Sequence, residues 1–153
     1  MARLLGLLIL AVPVFARPLP STELPPAYEE TTISDYRADF ALDDDGDLRV
    51  VERLSVDFPY YGKHGIFRFF DPHDPNDFHA RRVPSDLTVT RDGAAEPREV
   101  SRQEHGRYVV ARIGSADVTL TPGTHVYELR YTVEGVLLDG PGEDLSTFYW
   151  NLI

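Results

Sequence analysis

With 153 residues, the chain has material for one domain and little to spare for a second. A hydrophobic content of 42 % with 11 % aromatics excludes wholesale disorder, and a formal net charge of −10 with no basic stripe argues against nucleic-acid binding. The absence of cysteine excludes disulfides, thiolate metal sites and cysteine nucleophiles.

Met1 to Ala16, MARLLGLLILAVPVFA, joins a positive residue, Arg3, to an apolar run from Leu4 to Phe15 with Pro13 near its end. Val14 and Ala16 suit the −3 and −1 positions of a signal-peptidase site, and the run is shorter than the roughly 20 residues of a membrane span. Residues 1–16 are therefore expected to be a signal peptide. Residues 17–32 carry four prolines, two of them adjacent, and are expected to form an extended linker.

Residues 33–153 read as strand upon strand. Ile33 to Leu42 places Tyr36, Ala38, Phe40 and Leu42 on one side, the period of a half-buried strand. Asp43-Asp44-Asp45-Gly46-Asp47 is a tight turn, because Asp and Gly tolerate left-handed backbone. Leu48 to Phe58 returns with Leu48, Val50, Leu54, Val56 and Phe58 on one face. After a Pro- and Gly-rich loop comes the aromatic strand Ile66 to Phe70, then a long irregular loop over 71–84. Strands are predicted at 87–90, 99–103, 107–113, 118–120 and 125–133, with a loop at 135–143 and a final strand opening at 148. No segment after residue 16 shows helical periodicity over three turns. The fold class is all-β, most simply an immunoglobulin-like β-sandwich of about seven to nine antiparallel strands, with a closed barrel as the alternative. The strand-like ending FYWNLI has no turn or charge to close it, so the domain is expected to be truncated at its C-terminal end.

The acidic turn has part of the spacing of a calcium loop. With Gly46 at position 6, Asp43, Asp45 and Asp47 take ligand positions and Glu52 takes the twelfth. Position 1 is Ala41, which cannot coordinate, and Glu52 lies about 17 Å along an extended chain from the turn. Asp43, Asp45 and Asp47 remain weak metal candidates; no cofactor is expected. His64, Asp71, His73, Asp74, Asp77 and His79 have ligand chemistry without a recognisable ligand spacing. No nucleophile elbow or phosphate loop is present, so no catalytic residue is nominated.

Glu52 stands apart because parity puts it on the face of Val50 and Leu54. A buried carboxylate must be paired or protonated, and Arg68 in the next strand is the natural partner. A structural ion pair, an exposed edge position and a catalytic acid are the three readings open at this residue.

These same residues carry a family resemblance. Tyr36, the Asp45-Gly46 turn, Val50 with Glu52, and His64-Gly65-Ile66 with Arg68 occur in the order seen in a bacterial predicted-membrane-protein family catalogued as domain of unknown function 2207. Phe148-Tyr149-Trp150-Asn151 resembles that family's late F-Y-W-N. The chain departs from it at Phe69-Phe70, where an aliphatic residue and proline are usual, and in lacking the further domains and transmembrane helices. The resemblance implies a membrane-tethered protein of a family without an established activity. The function expected is a non-enzymatic extracytoplasmic module of an exported membrane or envelope protein, secreted if the chain is complete. Its expected partner is an unidentified envelope protein or the remainder of a longer membrane protein. The alternative is a secreted metal-dependent hydrolase-like or ligand-binding domain using the acidic loops.

Overall fold

The computed structural model describes residues 30–74, 79–139, 146–148 and 150. The expected signal peptide and residues 17–29 of the expected linker lie outside the described residues. Thr32, assigned to that linker from sequence, opens the first strand.

Among the described residues the chain forms ten strands and no α-helix. They are β1 (Thr32–Leu42), β2 (Leu48–Phe58), β3 (Gly65–Phe70), β4 (Pro84–Arg91), β5 (Ala94–Ala95), β6 (Arg98–Gln103), β7 (Tyr108–Gly114), β8 (Gly123–Val133), β9 (Leu137–Asp139) and β10 (Ser146–Phe148). One sheet has the order β1-β2-β8-β4-β5, and the other β3-β7-β6; β9 and β10 form a separate ribbon. All of these pairings are antiparallel. The result is an immunoglobulin-like sandwich in architecture, five strands over three, with its own order of strand entry.

Alternation produces the layers. In β2, Leu48, Val50, Glu52, Leu54, Val56 and Phe58 are all buried, while Arg49 and Arg53 are exposed. In β8, Tyr127, Leu129, Tyr131 and Val133 point the same way, and β4 adds Leu87 and Val89. Phe70, Val109, Ala111 and Ile113 face them from the smaller sheet in one continuous core. Burying these side chains is the main favourable term, at about 25 cal/mol per Å² of apolar surface.

The acidic turn is built by its own groups. The Asp47 N–H donates to Asp43 Oδ1 at 2.9 Å, and Gly46 sits at φ +83°. The turn also grips the one after β8: Val136 N–H donates to the Gly46 carbonyl at 2.9 Å, and Gly135 N–H to Asp47 Oδ1 at 2.8 Å.

Several expectations change. Residues 118–120 form no strand. Leu120 N–H donates to the Lys63 carbonyl at 2.7 Å and His64 Nδ1 meets the Val118 carbonyl at 2.9 Å, so this segment is pinned at isolated points without a ladder. The short strand Ala94–Ala95 went unpredicted because alanine carries little strand signal. Strand β9 lies inside the expected loop at 135–143, and β10 begins before residue 148. Trp150 lies outside any strand, and residues 149 and 151–153 lie outside the described residues. In β1 the apolar side is only half covered: Phe40 and Leu42 are each 42 % exposed, because the three-stranded sheet does not extend over that end.

Gly65 and Gly114 form the tightest joint. They are register partners in β3 and β7, and a Cβ on Gly65 would lie 1.8 Å from the Ile113 carbonyl oxygen. Gly62, at φ +99°, faces open space. Gly65→Ala is expected to cost about 3 kcal/mol or more in urea unfolding, and Gly62→Ala about 1 kcal/mol. Equal losses would contradict the steric account.

Candidate functional site

The most unusual chemistry lies at the centre of the sandwich. Parity in β2 turns Glu52 inward, where it is fully buried. Arg68 of β3 approaches from the opposite sheet and grips it with two parallel bonds, Nε to Oε2 and Nη2 to Oε1, each 2.9 Å. The Tyr131 hydroxyl of β8 donates to Oε1 at 2.5 Å, and Trp150 Nε1 donates to the Tyr131 hydroxyl oxygen at 3.1 Å. Arg68 Nη1 also donates to the Phe69 carbonyl, and the guanidinium stacks 4.6 Å from the Phe70 ring centre. Both carboxylate oxygens and all three guanidinium nitrogens therefore find partners within the fold, which is the condition for keeping a charge inside a low-dielectric interior.

Tyr36 of β1 borders the same cluster, and its hydroxyl is pushed up to about 12, by burial first and then by the Glu52 charge. Burial and the neighbouring Glu52 also push up the Tyr131 hydroxyl. Burial alone would lower Arg68, but the hydrogen bonds and charge of Glu52 outweigh it and hold the guanidinium above its ordinary value. Both phenols and the guanidinium are thus held in their protonated forms at neutral pH.

The remaining sequence-selected residues fall elsewhere. His64, Gly65 and Ile66 sit at the start of β3, where they anchor the 115–120 loop and make the glycine joint. Gly46 and the three aspartates lie at the β1–β2 turn. Asp43 caps that turn and pairs with Arg49, Asp47 accepts from Gly135, and Asp45 is exposed. Of the His/Asp cluster, His73 pairs with Asp71 at 2.8 Å, and buried Asp74 lies 3.6 Å from Arg82. Asp77 and Asn151 lie outside the described residues. Among the described residues no group of three or more acidic or histidine side chains is arranged to hold a metal.

One titratable pair was missed, a buried histidine held by an exposed carboxylate. His125 heads the inward row of β8; its Nδ1 bonds Asp92 Oδ2 at 2.6 Å and its Nε2 bonds the Thr121 carbonyl at 2.9 Å. Both partners are acceptors, so the doubly protonated ring satisfies both. The Asp92 hydrogen bond raises the His125 pKa above 6.5, against the opposing effect of burial. Asp92 also accepts from Val126 N–H at 2.8 Å; burial would raise its pKa, yet these bonds hold it below 3.8. The only signal in the sequence was the parity of His125 with Tyr127.

The fold and this interior define an all-β module with a specified polar centre. The family model described as the predicted membrane protein (DUF2207) N-terminal domain matches residues 32–153, and the chain belongs to that family. No curated protein and no solved structure matches the chain. Among the described residues no helix is long and apolar enough to cross a membrane.

Two measurements probe this interior. Glu52→Ala strands Arg68 and is expected to cost about 3–5 kcal/mol in chemical denaturation, while joint replacement of Glu52 by Leu and Arg68 by Met costs clearly less. Equal losses in single and double variants would remove the coupling. For His125, the raised folded-state pKa means its contribution is complete below pH 6.5 and is lost as pH rises through the folded value. Asp92, held low, contributes above 3.8 and loses its contribution as pH falls through its folded value. The melting temperature is therefore expected to decline as pH is raised from about 6 to 9, and His125→Gln to flatten that decline. An unchanged slope in the variant would rule His125 out as its source.

Proposed function

We propose that this domain is a non-catalytic extracytoplasmic module of a membrane or envelope protein, acting in interaction or as structure. The observation that carries the reading is the closure of the Glu52 cluster. Both carboxylate oxygens are occupied by Arg68 and Tyr131, and Glu52 has no exposed surface. A general acid or base must reach a substrate proton within hydrogen-bond distance, and this group cannot. Its chemistry suits holding two sheets in one register. Family membership supports a place in a membrane protein, and the signal-like residues 1–16 support export. The partner would be the remainder of that membrane protein or a neighbouring envelope protein.

The cysteine-free sequence offers a direct test of sidedness. Asp45 is exposed at the β1–β2 turn, so Asp45→Cys adds one reachable thiol without disturbing Asp43 or Asp47. In cells producing the protein, a membrane-impermeant maleimide is expected to label this variant before lysis, and not the unsubstituted protein. Labelling only after lysis would place the domain on the inner side and end the reading.

A further inference from the structure

The seam between edge strands β1 and β3 opens into a cleft of about 670 Å³ at its Gly62–Ile66 end. Ligand sites typically fall between about 300 and 1,000 Å³. Leu54, Val56, Phe58, Ile66, Ile113 and Leu129 wall it, and Ile33, 58 % exposed, forms its lip. At its inner end Arg68 is engaged by Glu52 and the Phe69 carbonyl. The interior thus offers apolar surface and few open hydrogen-bonding groups. A sugar or an extended peptide would leave its own polar groups unbonded there, at a cost of a few kcal/mol for each. An aliphatic chain carries no such cost.

The mouth has the opposite character. Lys63, His64 and Arg112 line it. Among the described lining residues there is no acidic side chain, although the chain carries 25 acidic residues and a net charge of −10. Lys63, the one lysine in the sequence, stands over the Tyr60 ring at 5.3 Å, and among the described residues no carboxylate pairs with it. Arg112 is paired with exposed Glu99 at 2.6 Å, a solvent-screened contact that a ligand anion can exchange. The cleft is bounded by two fixed parts, one steric and one electrostatic: the Gly65–Gly114 joint at one end and the Glu52–Arg68 grip at the other.

We propose that this cleft binds an aliphatic chain ending in an anionic group, with the chain between the sheets and the anion at Lys63 and Arg112. That chemistry is shared by a free fatty acid and by an acyl chain of an anionic phospholipid. The test uses the full chain and sodium decanoate below its micellar concentration, with decyltrimethylammonium as the cationic control, followed by calorimetry and thermal melting. Decanoate is expected to bind saturably and raise the melting temperature, and the cationic amphiphile to bind at least about tenfold more weakly. Ile33→Glu and Lys63→Glu, both at the lip and outside the core, are each expected to weaken decanoate at least about tenfold with the ligand-free melting temperature nearly unchanged. Co-sedimentation with phosphatidylglycerol vesicles, lost in Ile33→Glu, would assign the chain to membrane lipid. Decanoate binding without co-sedimentation would assign it to the free acid. Absence of saturable binding, equal binding of both amphiphiles, or undiminished affinity in both variants would overturn the proposal.

Discussion

A carboxylate enclosed in the middle of a sandwich sets the terms for everything around it. Apolar packing is non-directional, and two sheets with greasy inner faces can slide past one another at modest cost. Glu52 removes that freedom. It rises from the larger sheet, Arg68 descends from the smaller one, and the planar guanidinium accepts only one arrangement of the two. Tyr131 and Trp150 extend the demand to β8 and to the stretch beyond β10. Five strands over three have many ways to stack; this cluster selects one.

The same centre explains why widely separated motif residues meet. Tyr36, Glu52, Arg68 and Trp150 come from four segments of the chain, yet all border one buried volume. The His64-Gly65-Ile66 group is different in kind. It shapes backbone, since Gly65 must let Ile113 and Gly114 approach where a side chain would collide. The motif as a whole is therefore two devices, one steric at the start of β3 and one electrostatic reached from Arg68 within the same strand.

Much of the fold was legible because β2 and β8 alternate so cleanly. A period of two over eleven residues, closed by an Asp-Gly turn, leaves little else for the backbone to do. Glu52 was visible for the same reason: it broke a pattern that was otherwise complete. Where pattern is absent, reading failed. Ala94–Ala95 is too short and too small to register, and Val118 to Leu120 alternates but meets Lys63 and His64 only at isolated points. The His125–Asp92 contact spans 33 residues, and its geometry depends on Asp92 at φ +52°, a backbone state no periodicity reveals. Phe40 and Leu42 misled in the other direction. Their alternation is that of a covered strand, but coverage is a property of the opposite sheet, which is two strands narrower.

The chain holds one tryptophan, and its indole N–H is tied to the phenol that touches Glu52. Its emission is thus tied to the polar centre and away from the second titratable contact: His125 lies six residues along β8 from Tyr131, at the far end of the same row. A fluorescence change would report rupture at the Glu52 end, and a circular-dichroism signal would report the sheets as a whole. The protein has, by construction, an optical probe that separates loosening of its centre from unfolding of its layers.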